Sequence, residues 1–265
     1  MTSTTLSAAA FGGDPGRWPL PTADSPDELW LRAVAAGGQG RYSSARADLA
    51  ALRRLRPSGR LASLALSTEA SFLRQLGDHR LARGWDGRAL ALAPGPGEAT
   101  VDALVGLAAD ALGIGRLAAS AQLLNRAAGA LADTDAPPPR LAIRQAWVTA
   151  EHAMAGGLGQ EALGHARRGV ALADAALPQL RRHRVKSDVV LAAALCCAGL
   201  PDRAREVADA ALADTQTYGL VPLRWALACL LLDIGSATLT SQQVLAIRTE
   251  CAAAIARRGG RWCRG

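Results

Sequence analysis

Two segments carry the spacing of a dinucleotide-binding loop: Gly113-Ile114-Gly115-Arg116-Leu117-Ala118 and Gly157-Leu158-Gly159-Gln160-Glu161-Ala162. Such a loop works because its glycines let backbone amides approach a pyrophosphate at a helix start, and it requires a strand in front of it. A helical apolar pattern precedes both segments, so both are expected to be turns between helices, with no nucleotide bound. His79, His152, His165 and His183 form neither a paired metal spacing nor a triad, and GxSxG and Walker A patterns are absent. Cys196, Cys197, Cys229, Cys251 and Cys263 lack CxxC or zinc-finger spacing and read as small apolar residues of a reducing cytosol. No catalytic residue, metal ligand or cofactor is therefore expected, and the chain is read as a non-enzyme.

Charge is the remaining chemical signal. Arg181, Arg182, Arg184 and Lys186 surround His183 in the densest basic run, and together they are a candidate anion patch, since guanidinium groups grip phosphate and carboxylate bidentately. Arg257, Arg258, Arg261 and Arg264 form a second basic cluster that trails from the last helix into a basic tail over 259–265. The simpler reading of both clusters is solvated faces whose arginine stems cover apolar surface. The net charge of +7 admits an acidic partner. Nucleic acid is a secondary expectation, because neither a helix-turn-helix nor stacking aromatics accompany the charge. Lys186 is the only lysine among 30 basic residues and Asn125 the only asparagine, the drift of a high-GC bacterial genome of actinobacterial type. The longest apolar stretches, Val189 to Leu200 and Trp225 to Leu232, are too short to span a bilayer. The N-terminus has no basic start followed by an apolar run. A cytoplasmic protein without membrane association is expected.

The elements that position these residues read as helices throughout. Residues 1–24 are rich in Gly and Pro without a periodic apolar face, which predicts a flexible or loosely docked arm. Ser25-Pro26-Asp27-Glu28 then supplies a cap, a first-turn proline and two acids that suit the helix dipole. Apolar spacing of three and four, broken by short glycine-bearing turns, predicts about 12 helices over 25–258. They fall into five pairs, 26–57, 61–94, 98–132, 140–175 and 179–216, and a degenerate capping pair, 221–257. Scarce aromatics and abundant alanine suit closely packed helices and disfavour sheet.

A repeat underlies the pairs. Gly40, Ala45 and Pro57 recur 37 residues later as Gly77, Ala82 and Pro94. Ala45, Ala82, Ser120, Ala162 and Ala204 each follow a glycine by five residues, and Ala33, Ala70, Ala108, Ala150 and Ala192 each precede one of them by twelve. Small residues at both places are what two antiparallel helices need at their closest approach. A period of this length marks a solenoid. Gly40, Tyr42, Ala45, Leu49, Leu52 and Pro57, and again Gly77, Ala82, Ala89 and Pro94, resemble the second half of the tetratricopeptide repeat. The resemblance covers about residues 26 to 216, in the divergent, longer-unit form of bacterial regulators. The marker spacing runs 37, 38, 42 and 42, and Asp86 stands where an aromatic is usual.

The resemblance implies a right-handed α-solenoid whose first helices line a concave groove for a peptide or protein segment. In the family register the fifth first-helix position faces that groove, occupied by Trp30, Ser67, Val105, Trp147, Val189 and Trp225, with Ser71, Arg74, Arg144, Glu151 and Lys186 flanking. An aromatic and basic wall suits an extended partner with apolar and acidic side chains. A register shift of one residue would instead bury each Trp. The family's chaperone-tail clamp of Lys and Asn cannot be built with one Asn. The expected function is a non-catalytic interaction scaffold. The alternatives are a regulatory module that senses a small ligand or cooperates with a transcription factor and, as a minor reading, an enzyme.

Overall fold

The computed structural model describes residues 2–263, and among them it holds thirteen α-helices and no strand. They are α1 (Thr2–Phe11), α2 (Pro26–Gly38), α3 (Tyr42–Arg54), α4 (Gly59–Gln75), α5 (His79–Leu92), α6 (Glu98–Gly113), α7 (Leu117–Ala132), α8 (Pro139–Ala155), α9 (Gly159–Ala175), α10 (Arg181–Cys197), α11 (Pro201–Thr217), α12 (Val221–Ile234) and α13 (Ser241–Arg257). Helix α2 starts as its sequence dictates: Ser25 Oγ accepts the Glu28 amide, Pro26 opens the first turn, and Asp27 and Glu28 follow.

One local device makes the pairs. The marker glycines Gly40, Gly77, Gly115, Gly157 and Gly199 all sit at φ between 72° and 88°, the left-handed region that a residue with Cβ avoids. The amide after each closes the helix end on a carbonyl five residues back, as in Arg41 N to Ala36 O at 2.9 Å and Leu158 N to Ala153 O at 2.9 Å. The chain then reverses within three residues and the next helix runs antiparallel. Both dinucleotide-like segments are such turns.

Close packing follows from the small side chains. Ala33, Ala45, Ala70, Ala82, Ala108, Ser120, Ala150, Ala162, Ala192 and Ala204 are all 0% exposed. Replacing Ala82 with Leu is expected to overpack the α4–α5 contact and cost about 1–3 kcal/mol in urea unfolding, while Leu at its exposed neighbour Arg83 costs little. An unchanged midpoint for Ala82→Leu would place that contact elsewhere.

The helices form two layers. Even-numbered helices α2 to α12 touch one another in succession and make the inner layer, and each of α3, α5, α7, α9 and α11 packs against the inner helices on either side. The result is an all-α solenoid of six pairs.

The spiral closes on itself. Pro222 and Ile255 lie against Gly40, the Ser43 amide donates to Arg258 O at 2.9 Å, and Arg258 Nη1 donates to Gln39 O at 3.0 Å. After α13 the chain folds back across the first pairs, with the Cys263 amide on Leu76 O at 2.9 Å and the Trp262 ring 4.2 Å from that of Trp225. The segment expected as a trailing basic tail is therefore a seam between the two ends, as far as it is described; Arg264 lies outside the described residues. Arg258 belongs to the seam, so the second basic cluster is not a uniform solvated patch.

The N-terminal arm also differs from expectation. Residues 2–11 are helical, and Leu6, Ala9 and Ala10 are buried against α2. Their i, i+3, i+4 spacing is a helical stripe, but it is short and two of its three residues are alanine, too weak a signal beside the Gly- and Pro-rich stretch that follows.

Candidate functional site

The concave face is occupied by the chain's own N-terminus. Phe11, at the end of α1, points among the inner helices: its ring lies 5.4 Å from that of Trp30 on α2 and 6.2 Å from that of His183 on α10. The guanidiniums of Arg140 on α8 and Arg182 on α10 stand over the same ring at 5.0 and 6.0 Å, the geometry of cation–π attraction. Gly12 O accepts the Arg181 amide at 3.3 Å, a main-chain bond between the arm and α10. Buried Gln39 then holds the segment beyond, its Nε2 donating to Pro15 O and Arg17 O, both at 2.9 Å. Trp18 covers the Arg41 guanidinium at 3.8 Å. Residues 6–18 are thus seated as a bound peptide is, by an aromatic anchor and main-chain hydrogen bonds.

Beside the anchor lies a cleft of about 490 Å³, bounded by α1 and by the starts of the inner helices. Its wall is largely apolar, from Ala8, Phe11, Trp30, Pro139 and Leu180, with Arg60, Glu98 and Arg140 as its charged groups.

The inner face carries two buried ionic networks. In the first, Arg74 Nε meets Asp110 Oδ1 at 2.8 Å while its Nη2 pairs with Asp86, and both carboxylates are almost fully enclosed. Burial pushes the Asp86 carboxyl up to about 6, with Arg74 opposing the rise and Asp110 adding to it. In the second, Arg140 bridges Glu98 and Asp102 at 2.7 Å each, Arg60 holds Glu98 from the rim at 2.6 Å, and Arg144 pairs with Asp102. Burial works against the Glu98 carboxylate, but the Arg140 and Arg60 guanidiniums keep it below the usual range.

The Asp86 shift has a signed consequence. Its folded pKa is raised, so its stabilising contribution is fully present below the unfolded value near 4 and is lost as pH rises through about 6. Carboxyl carbon NMR is expected to show Asp86 titrating near 6, and Asp86→Asn to remove that component of the stability profile between pH 4 and 7. A titration near 4 would show that the pair with Arg74 outweighs burial.

The groove residues inferred from sequence lie on the inner helices but not as one free wall. Trp30 is 5% exposed, and its Nε1 donates to Thr68 Oγ1 at 3.0 Å. Ser67 is buried beside Asp86, and Ser71 donates to Thr68 O. Arg74 and Arg144 are neutralised by aspartates. Trp147 Nε1 donates to Ser187 Oγ at 2.8 Å, and its ring stacks on His183 at 5.5 Å. Glu151 and Lys186 pair with each other at 3.0 Å, and Trp225 is turned to Trp262. Val105 is buried. The structure sets Trp30 against Phe11, stacks Trp147 on His183 beside it, and places Trp225 at the seam.

The anion patch over 181–186 is corrected, because consecutive helical residues point in different directions. Arg181 is exposed and donates to Tyr218 Oη at 2.8 Å, Arg184 holds Asp174 at 2.5 Å and also pairs with Asp188, and Lys186 holds Glu151. Arg182 and Lys186, four residues apart, share the face toward α8, where Lys186 is taken up by Glu151 and Arg182 lies beside Arg140.

Phe11, Gln39, Arg140 and His183 were not assigned to the site from sequence. A single phenylalanine followed by Gly12-Gly13 is the one local signal, an anchor before a flexible turn. Among the described residues no group of three or more His, Cys, Asp or Glu side chains could hold a metal ion, and no helix is long and apolar enough to cross a membrane. No protein-family model and no curated protein matches the chain.

Proposed function

We propose that this chain is a non-catalytic interaction scaffold, of divergent tetratricopeptide type and from the cytoplasm of a high-GC bacterium, whose concave inner face receives an extended peptide segment. The observation that carries the reading is the docking of residues 6–18, where Phe11 is held by Trp30, His183, Arg140 and Arg182 and the main chain is held by Gln39 and the Arg181 amide. The Gly, Ala and Pro register supports the family assignment. In this reading the arm is an internal occupant that keeps the face from indiscriminate partners and leaves when a better peptide arrives.

The test uses the full chain with the arm unseated by Leu6→Ala and Phe11→Ala, and a fluorescently labelled synthetic peptide of residues 2–18. Polarisation is expected to rise with the double variant and not with the unaltered chain, whose tethered arm competes at an effective concentration in the millimolar range, by order of magnitude. No binding to a double variant that keeps its helical circular dichroism would remove the groove.

A second reading, a regulatory module that senses a small ligand, is favoured by the cleft of about 490 Å³ beside Phe11 and by Arg182, which stands over the Phe11 ring and meets no carboxylate among the described residues.

A further inference from the structure

Arg182 is unlike the other inner-face arginines. Arg74, Arg140 and Arg144 each meet at least one aspartate or glutamate. Arg182 meets none among the described residues: its Nη1 donates to Val34 O at 3.0 Å, its guanidinium packs against Gly38 of α2, and it stands 6.0 Å from the centre of the Phe11 ring. A cation withdrawn from water without an anion is costly, and one carbonyl and one ring face offset only part of that cost. His183 stands next to it, 4% exposed, and its Nδ1 has no hydrogen-bond partner. Burial, then Arg182, Arg140 and Arg144 in turn, hold the imidazole well below its ordinary pKa, so it is neutral and can donate to an oxygen without adding charge. Burial and the nearby Arg140 bring Arg182 down to about 10.

These groups converge on one place. Phe11 touches Arg140, Arg182 and His183 on one side and lines the apolar cleft on the other. We propose that the inner face holds a binding site for an amphipathic organic anion, one carboxylate or phosphate group on an apolar, ring-sized body. Arg182, Arg140 and the His183 ring receive the anionic group, and the body takes the place of the Phe11 ring and the adjoining cleft. Trp30 and Trp147 flank the site and suit a flat body. Glu98, at the rim, disfavours a second negative group on the body. Ligand and Phe11 compete for one position, so binding releases the arm and frees residues 12–18 from Arg181, Gln39 and Arg41. This inference rests on the ligand-sensing reading and not on peptide docking.

The test is calorimetric titration of the full chain with phenyl phosphate and with phenylacetate, against benzyl alcohol as the uncharged body and inorganic phosphate as the bare anion. Because an occupied site lowers apparent affinity by the fraction that is free, Phe11→Ala is expected to bind one of the two acids about tenfold more tightly than the unaltered chain. Adding Arg182→Met to Phe11→Ala is expected to weaken that binding about tenfold, the worth of a charge-assisted hydrogen bond. Preference between the acids tells phosphate from carboxylate. If the Arg182 variant does not fold, His183 imidazole nitrogen shifts in Phe11→Ala report the same contact. Binding that leaves both Arg182 and His183 indifferent overturns this site and spares ligand sensing. No binding of either acid to Phe11→Ala at millimolar concentration, or equal binding of benzyl alcohol, overturns both.

Discussion

Arg74→Met is expected to lower the unfolding free energy by about 3–5 kcal/mol, because it leaves two enclosed carboxylates without their cation. Asp86 and Asp110 are both 0% exposed, and Arg74 is their shared guanidinium. Methionine keeps the apolar stem and so isolates the lost charge from lost packing. The cost is asymmetric: removing one partner exposes the desolvation penalty of the others, whereas neutralising all three does not. Arg74→Met combined with Asp86→Asn and Asp110→Asn is therefore expected to recover most of the loss. Urea unfolding of the unaltered chain and these two variants measures this, and a loss below about 1 kcal/mol for Arg74→Met would mean that the aspartates fold protonated or solvated. Asp86, which stands where the tetratricopeptide repeat that the sequence resembles carries an aromatic, is the anion that lets Arg74 enter the inner face.

Ile255→Ala is expected to cost about 2–5 kcal/mol, the range for truncating a buried aliphatic side chain. Ile255 is 0% exposed, packs in the cluster built mainly from α2, α3 and α4, and lies against Gly40 and Gly260. It is a residue of the last helix whose environment belongs to the first pair. Its loss should therefore raise amide exchange in α3 as well as in α13, along with the bond from Ser43 to Arg258 O. Exchange confined to α13 would mean that the ends of the spiral fold independently. In an open solenoid stability is a sum of neighbour terms. A closed one adds a contact between its ends, and this variant measures it.

The helix pairs were legible in the sequence because their cause is local. A glycine that must adopt positive φ and a small residue five positions on are read within one turn, and the slots of Ser120, Ala162 and Ala204 follow by the same rule although the period lengthens. The closure and the seated arm were not legible, because their bonds join residues far apart in sequence, 148 positions for Arg182 and Val34 and 219 for Arg258 and Gln39. Periodicity says which face of a helix is apolar and nothing about which distant helix covers it. The groove tryptophans show the same limit. Trp30 and Trp147 do line the inner face, but whether they meet solvent, a partner or Phe11 depends on an arm that carries one aromatic and a weak stripe. The basic run over 181–186 was visible as charge, yet its division between Arg182 inside and Arg181 outside is a matter of helical phase and of which aspartates lie opposite.

In the proposed function the concave face is a docking surface held by the chain's own N-terminal segment. Amide hydrogen exchange of residues 6–11 in the unaltered full chain and in Phe11→Ala measures it most directly. These amides are expected to be protected in the unaltered chain and released in Phe11→Ala, while α4 to α11 stay protected in both. Amides in residues 6–11 that exchange as fast as in a free peptide, in an otherwise protected chain, would contradict it.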